Sequence, residues 1–250
     1  RGGRAAMQVR RGTGAGTAVN PLHVPYITRG IPTHDIASEE GLDAIIATAD
    51  RILAEIGIEF REDPETVRLF QQAGGKAREV GPEAWNVTFE PGLIRGLLAT
   101  APAEFTQYAR NPAKSVRIGG KSMVFAPAYG SPFVMDLDKG RRYGTIEDFQ
   151  NLIKLAQSSP WLHHSGGTIC EPTDIPVNKR HLDMVYAHMR YSDRAFLGSI
   201  TAPERAEDSI EMCRILFGAE YVDSHCVIMG NFNSTSPLVW DGVSTRGIRA

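Results

Sequence analysis

The clearest hydrophobic pattern near the start of the chain is one apolar stripe between residues 38 and 57. Apolar side chains recur there at the three- and four-residue spacing of a helix. The stripe consists of Leu42, Ile45, Ile46, Ala49, Ile52, Leu53 and Ile56. Ser38 is a suitable N-cap, and Gly57 is a suitable stop. Similar signals predict helices over about 63–75 and 91–100, so residues 34–114 are predicted to form a helical N-terminal layer with short extended links.

Further along, the pattern shortens into alternating segments that are typical of strands. Segments 115–118 and 122–126 flank the Gly119-Gly120 pair and are predicted to form one hairpin. Segments 131–136 and 141–143 are predicted to form a second hairpin across a turn that contains glycine.

From Thr145 onward, helices and strands alternate at roughly 30-residue spacing, the size of a βαβ unit. Thr145 and Asp148 have the spacing of a capping box at the start of the first helix. The later elements are predicted as a strand over 162–170, a helix over 177–191, a strand over 195–200, a helix over 203–217, a strand over 225–232 and a last helix from Asp241. Such alternation favours a parallel sheet with helices outside it.

Two α/β folds have this alternation: an open doubly wound sheet and a TIM (β/α)8 barrel. The chain lacks the glycine fingerprint of a nucleotide-binding sheet, which favours the TIM barrel. With segment 122–126 as the first strand, residues 115–250 contain the first four βα units, about half of the barrel. Half a barrel leaves two unpaired sheet edges, so we expect the chain to be a fragment or to find its other half on another chain.

Composition restricts the function classes. Residues 1–33 are basic, rich in glycine and proline and without periodicity, and are predicted to be a tail. The formal net charge of −2 indicates neither a nucleic-acid nor a membrane-surface partner, and no apolar run reaches the roughly 18 residues of a membrane span. No apolar signal-peptide segment follows the basic start. The cysteines, Cys170, Cys213 and Cys226, have no disulfide-framework spacing, so we expect reduced thiols and a cytoplasmic location.

Five segments of the chain are informative because of their order and spacing. They are RGGRA at 1–5, ILAEIGIEF at 52–60, VFAPAYGSPFVMDLDKGRRYGTIEDF at 124–149, GGTICEPTDIP at 166–176 and GNFNSTSPLVWD at 230–241. Together they resemble the trimethylamine methyltransferase family over nearly the whole chain.

The resemblance implies a TIM-barrel enzyme of about twice this length. Members of the family transfer a methyl group from a methylated amine to cobalt(I) of a corrinoid that is carried by a separate small protein. The substrate is trimethylamine in some members and a quaternary amine such as glycine betaine in others, and some members contain pyrrolysine in the half that lies beyond this chain. A corrinoid protein, a small methylated amine and other copies of the same chain are therefore the expected partners, with no metal bound by this chain itself.

Functional residues of such barrels lie where the parallel strands end and in the loops that follow. After the first strand, Tyr129 and Gly130 are candidates for substrate binding, because a methylammonium binds an aromatic face by cation–π attraction; packing of Tyr129 under its own hairpin is the alternative. After the second strand, Thr168 is a candidate for substrate binding. Glu171 is the candidate catalytic residue, because its carboxylate could balance the ammonium charge; a salt bridge at the helix start is the alternative.

The third and fourth strand ends supply further candidates for substrate binding. Ser199 follows the third strand, where the neighbouring Thr201 has a plausible alternative role as a helix cap. Asn231, Asn233 and Ser234 follow the fourth strand, and the two asparagines share a face in extended chain. Their amides could bind a substrate carboxylate or position the corrinoid, whereas ordinary turn chemistry is the alternative.

Other functions have weaker support. Histidines and cysteines do not occur at the spacing of a zinc site, and neither a nucleophile elbow nor a phosphate-binding loop occurs. A barrel lyase or aldolase would need a lysine or metal ligands at the strand ends, and none of the four ends has a lysine. A protein that only binds methylated amines would share this half of the barrel, so it stays an alternative to the enzyme.

Overall fold

The computed structural model describes residues 27–32, 34, 36–233 and 237–250, so most of the predicted tail 1–33 and the candidate Ser234 lie outside the described residues. The helices there are α1 (Glu39–Glu55), α2 (Pro64–Gln72), α3 (Leu93–Leu98), α4 (Ile146–Ser158), α5 (Arg180–Tyr191), α6 (Pro203–Phe217), α7 (Ala219–Ser224) and α8 (Gly242–Arg249). The strands are β1 (Ile27–Thr28), β2 (Ile58–Arg61), β3 (Lys76–Gly81), β4 (Ala84–Thr88), β5 (Glu104–Gln107), β6 (Val116–Gly119), β7 (Ser122–Met123), β8 (Phe133–Asp136), β9 (Gly140–Tyr143), β10 (Phe196–Leu197), β11 (Ile228–Met229) and β12 (Val239–Trp240).

The N-terminal region contains a sheet as well as the three predicted helices. Its four strands lie in the order β12-β2-β4-β3, with β12 parallel and the other pairs antiparallel. Buried Phe60, Val67, Val87 and Phe89 form the core under this sheet. The predicted helical layer with short extended links over 34–114 therefore has its three helices, but the prediction missed that the links pair into a sheet. It missed this because β3 is a mostly exposed edge strand whose polar sequence has no alternating apolar signal.

Helix α1 forms as predicted, but among the described residues most of its apolar stripe is exposed, and only Leu53 packs against the core. The Ser38 hydroxyl accepts a hydrogen bond from the Gly41 N–H at 3.2 Å and caps the helix. No residue of α1 is buried, and Ile45 is 63% exposed. Gly57 has a positive φ of 77°, and a Cβ there would overlap the Val87 carbonyl oxygen, so the stop after α1 requires glycine.

One predicted hairpin is confirmed and the other was wrong. Strands β8 and β9 pair antiparallel as predicted. In contrast, β6 pairs with β5 and β7 pairs with β1, so 115–118 and 122–126 do not pair with each other. Gly119 has a φ of 106°, and a Cβ there would overlap the Ala103 carbonyl oxygen. Glycine at this position thus allows close approach to β5 as well as a turn, which sequence alone could not distinguish.

Four consecutive extended segments run in the same direction beside one another; we call them the parallel segments 125–131, 163–170, 195–199 and 227–230. The joining contacts are the His163 N–H to Phe125 O bond, the parallel Ser131–Cys170 bridge, the Ser165 N–H to Ala195 O bond, the Leu197 N–H to Gly166 O bond and the parallel β10–β11 pair. Helices α4, α5 and α6 lie in the connections from each segment to the next, and α5 packs on both α4 and α6. The first segment overlaps the predicted strand 122–126 only at residues 125 and 126 and continues beyond it.

The parallel segments bury two apolar clusters against these helices. Phe149, Ile153 and Ala187 belong to the cluster between α4 and α5. Val185 and Phe196 belong to the cluster between α5 and the third segment. The architecture is thus mixed α/β with small sheets, as the predicted class requires, but the described residues do not form a closed barrel. No helix among them is both long and apolar enough to span a membrane.

A buried glutamine links β5 to the parallel segments. The Gln107 side-chain amide donates to Phe196 O at 2.8 Å and to Val227 O at 3.4 Å. Its Oε1 lies 3.1 Å from His164 Nε2. Since Nδ1 of the same ring accepts from the Gly166 N–H, the Nε2–H donates to the glutamine. This fully buried amide satisfies groups on three different segments, which positions them relative to β5.

Candidate functional site

The first, second and fourth parallel segments meet through polar contacts at their carboxyl ends. The Asn231 amide donates a 3.2 Å hydrogen bond to the Tyr129 hydroxyl oxygen, which joins the first and fourth ends. The Gly130 N–H donates to Thr168 O at 2.7 Å, which joins the first and second. Tyr129 is 51% exposed, so its ring is not packed under the hairpin that follows it. The structure thus brings together four residues that the sequence placed at three separate strand ends.

The second and third segments end beside a cavity of about 130 Å³, which we call the arginine pocket. Its walls are formed by the segment ends and by the first turns of α5 and α6. The lining residues are Thr168, Glu171, Val177, Arg180, His181, Met184, Ser199, Thr201 and Arg205. Three of the predicted site residues, Thr168, Glu171 and Ser199, therefore share one cavity.

Glu171 forms an ion pair with Arg180 across the arginine pocket. The same guanidinium also donates to Ile175 O at 3.0 Å and 3.2 Å, which holds it in place. The carboxylate is already balanced by a cation, as the salt-bridge alternative expected. A role for Glu171 as the counter-charge of an ammonium stays a prediction, and it would require competition with Arg180.

The third segment end differs from the prediction at Thr201. Ala202 occupies the N-cap position of α6 and forms no side-chain cap. The Thr201 hydroxyl instead accepts a 2.7 Å hydrogen bond from Arg205. The helix-cap alternative for Thr201 was therefore wrong. Ser199 is half-buried, and its backbone N–H donates to the Ser209 hydroxyl of α6 at 3.2 Å.

The remaining candidates lie at the edge of the described residues. Asn233 is exposed immediately before residues 234–236, which the structure does not describe. Ser234 is one of these residues, so its role stays a prediction.

The cysteine nearest the site is not activated as a nucleophile. Cys170 is buried at the end of the second segment, directly before Glu171. Burial raises the pKa of its thiol to about 11, and the Asp148 and Glu171 charges add to this effect. A thiol with such a pKa is protonated at neutral pH and is a poor nucleophile. The site therefore offers binding groups, namely hydroxyls, amides, an aromatic ring and charged side chains, and Cys170 does not add an activated nucleophile.

Comparison with known proteins places these residues in a family. The family described as trimethylamine methyltransferase (MTTB) matches residues 1–250. The chain belongs to the trimethylamine methyltransferase family. It is also 42% identical over 212 residues to the glycine betaine methyltransferase of Desulfitobacterium hafniense (strain Y51). The match covers 84% of this chain and 43% of that relative, so the chain spans less than half the length of the curated relative it matches.

Within this member of the family, the sequence patterns missed four residues of the arginine pocket and its surroundings. Arg180 and His181 begin α5, Arg205 lies in the first turn of α6, and Asp208 accepts a 2.7 Å hydrogen bond from His181 Nε2. A local signal existed only for Arg205, which lies four residues after Thr201, the spacing of one helical turn. The other contacts join residues 9 and 27 positions apart and depend on the fold.

A metal centre is not evident in the part of the family chain that the structure describes. Among those residues, His, Cys, Asp and Glu form no group of three that could hold a metal ion.

Proposed function

We propose that this protein takes part in transfer of a methyl group from a methylated amine to the cobalt of a corrinoid carried by a partner protein. Membership of the trimethylamine methyltransferase family is the observation that carries the proposal. The glycine betaine methyltransferase relative supports a quaternary amine as the methyl donor.

We further propose that the parallel segments are the first half of a TIM (β/α)8 barrel. Three features support this: the segments are consecutive, they run in the same direction, and helices connect the later ones. Polar candidates gather at their carboxyl ends, where barrel enzymes have their active sites. The relative, of which this chain covers 43%, is long enough to contain a second half.

The proposed reaction places modest demands on the protein's own chemistry. The carbon–nitrogen bond breaks, its electron pair stays on nitrogen, and the methyl group forms a bond to cobalt. The corrinoid supplies the nucleophile as cobalt(I), so the protein needs to bind the amine in line with it and to exclude water. A protonated Cys170 is compatible with this mechanism, because the protein itself does not have to supply a nucleophile.

Tyr129 and Asn231 have suitable positions and chemistry for binding the ammonium end. An aromatic face attracts a methylammonium by about 0.5–2 kcal/mol, and more when water is excluded. The Asn231–Tyr129 hydrogen bond restricts the orientation of the ring. Gly130, which follows Tyr129, has a φ of 93°, and a residue with a side chain would be strained in this backbone conformation.

The test is methyl transfer by the full-length protein to a reduced corrinoid partner, measured as the change in the absorption spectrum of the corrinoid. We expect transfer from glycine betaine or another methylated amine, and about a tenfold higher KM for Tyr129→Ala, with partial recovery in Tyr129→Phe. Tyr186→Ala is the matched control, because Tyr186 has a similar exposure of 55% but lies on α5. Binding of amine without transfer would indicate the binding-protein alternative, and transfer without a corrinoid would contradict the proposed acceptor.

The role of Glu171 needs a separate pair of variants. If its carboxylate contacts the ammonium, Glu171→Gln lowers kcat/KM at least tenfold, while exposed Glu147→Gln on α4 leaves it unchanged. Unchanged turnover in Glu171→Gln would remove Glu171 from the reaction and leave it as the ion-pair partner of Arg180.

A further inference from the structure

The hairpin β8–β9 is fixed at its base to the end of the second parallel segment. Just before the hairpin, Ser131 O accepts from the Glu171 N–H at 2.9 Å. Directly after it, Gly144 O accepts from the Thr173 N–H at 2.9 Å. The chain enters the hairpin from the first segment, only a few residues after Tyr129. The hairpin therefore stands beside the candidate site, at the carboxyl ends of the parallel segments.

One face of the hairpin packs on the body of the protein. Side chains alternate across a strand, so Val134 and its cross-strand neighbour Arg142 lie on the same face. Val134 contacts the apolar cluster between α4 and α5. Arg142 donates to Asp148 at the start of α4, at 2.6 Å and 2.8 Å. This face is therefore covered, and the opposite face points away from α4.

That opposite face, which we call the outer face, has large side chains that the described residues leave exposed. It consists of Phe133, Met135, Arg141 and Tyr143, with Leu137 at the turn. The ring centroids of Phe133 and Tyr143 are 4.8 Å apart, and the Arg141 guanidinium lies 3.7 Å above the Phe133 ring. Met135 is 81% exposed and Leu137 is fully exposed. The outer face is thus a mainly apolar surface with one cation.

The composition of the outer face is that of a surface that binds another protein. Antiparallel sheets that pack one face on a core commonly have polar side chains on the other face, which is not the case here. Phenylalanine, tyrosine, methionine and arginine are all enriched in protein–protein interfaces. A projecting hairpin does not enclose a small molecule, whose sites are concave. Among the described residues Arg141 forms no ion pair, so its guanidinium can pair with a carboxylate of the bound protein.

The position of the outer face restricts which protein it meets. In the proposed reaction the cobalt has to reach the amine at the carboxyl ends of the segments, so the protein that carries the corrinoid approaches this end of the molecule. A second copy of the chain on the outer face would occupy the approach that this partner needs. We propose that the outer face is the docking surface for the corrinoid-carrying partner, which presents an apolar patch and a carboxylate to it. The identity of the partner rests on the proposed function, whereas the contact surface does not.

The test measures the affinity of the full-length protein for the corrinoid-loaded partner protein by calorimetry. Leu137→Asp and Met135→Asp are each expected to weaken binding at least tenfold, because a carboxylate would be buried in an apolar contact. Leu137→Met keeps an apolar side chain and is expected to bind nearly as well as the parent protein. Methyl transfer to a free cobalt(I) corrinoid does not require docking, so all three variants are expected to keep the parent rate in that reaction.

Ile215→Asp is the matched control. Ile215 is also apolar and is 86% exposed, but it lies in the last turn of α6. Since α6 begins after the carboxyl end of the third segment and runs back along it, this turn lies at the opposite end of the molecule. The control is expected to bind the partner as tightly as the parent protein does.

Thermal unfolding and the mass in solution, measured for each variant, distinguish the other possible occupants of the outer face. If Leu137→Asp and Met135→Asp bind the partner as tightly as the parent protein, the proposal is wrong. A smaller mass with unchanged partner affinity would assign the face to a second copy, and a lower unfolding temperature with unchanged affinity would assign it to another part of the same chain; both overturn the proposal. Partner binding that depends on Leu137, without methyl transfer to either acceptor, would contradict the proposed function and support the docking surface.

Discussion

At the scale of single residues, the buried histidines show how the interior uses uncharged imidazole. The Ser165 hydroxyl lies 2.7 Å from His188 Nδ1, and His188 Nε2 lies 3.0 Å from Gly167 O. Since the carbonyl can only accept, Nε2 carries the hydrogen and Nδ1 accepts from the serine. Burial lowers the pKa of both His164 and His188 to about 4. Both rings are therefore neutral at pH 7 and serve as hydrogen-bonding groups between the parallel segments, β5 and α5.

The depressed pKa values predict loss of stability in weak acid. The unfolded histidines take up protons below about pH 6.5, whereas the folded ones do so only near pH 4. The free energy of unfolding therefore falls as pH decreases between these values, by about 1.4 kcal/mol per pH unit for each histidine. Urea unfolding at pH 7 and pH 5 measures this slope.

His188→Gln should reduce the pH dependence by about half, because one of the two titrating rings is removed. His34→Gln is the control, because it removes an exposed histidine instead of a buried one. Equal slopes in the parent and His188→Gln would show that His188 can be protonated without unfolding.

At the scale of elements, the start of α4 shows how much a short sequence can specify. Thr145 and Asp148 form a complete capping box, with each side chain accepting from the backbone N–H of the other. Arg142 from β9 adds two hydrogen bonds to Asp148, at 2.6 Å and 2.8 Å. The bonds from Arg142, followed by those from Thr145, lower the pKa of Asp148 to about 2 despite partial burial. The cap thus also links the hairpin β8–β9 to the helix.

Loss of this cap should destabilise the protein measurably. Thr145→Ala removes the oxygen that accepts from the Asp148 N–H, so the free energy of unfolding should fall by about 1–2 kcal/mol. Thr145→Ser keeps the oxygen and should restore most of it. Thr48→Ala, on the exposed face of α1, should change stability by less than about 0.5 kcal/mol. Equal urea midpoints for Thr145→Ala and the parent protein would contradict a stabilising role for the cap.

Elements were predictable where the signal was local. Helices α4, α6 and α8 begin at or next to the residues that their caps or prolines indicate, because a helix start depends on residues within one turn. Strand partners were not predictable in the same way. Whether β6 pairs with β5 or with β7 depends on contacts with residues outside the local turn. The edge strand β3 has no buried face, so its sequence has no alternating apolar pattern. The same distance dependence explains why His181 and Asp208 escaped sequence analysis.

At the scale of the whole molecule, a buried carboxylate holds the end of the described chain against the N-terminal sheet. Asp63 is 2% exposed and caps α2 by accepting from the Thr66 N–H and hydroxyl. It also accepts from Thr245 at 2.6 Å and from Arg249 at 2.8 Å, both on α8. Burial alone would raise the pKa of Asp63, but these hydrogen bonds and the Arg249 charge lower it. Together with the β12–β2 pair, this carboxylate connects the fourth parallel segment to the N-terminal region.

Removal of that carboxylate should release α8 before the rest of the molecule. Asp63→Ala leaves the Thr245 hydroxyl and the Arg249 charge without their acceptor, so we expect a loss of about 2–3 kcal/mol in the free energy of unfolding. Hydrogen exchange of the α8 amides should accelerate at least tenfold. The amides of α5, which packs on α4 and α6 and makes no bond to Asp63, should be much less affected. Asp43→Ala on exposed α1 is the control and should leave both regions unchanged. If α8 exchanges at the parent rate in Asp63→Ala, its attachment depends on packing against α6 and on β12, and the carboxylate is only the cap of α2.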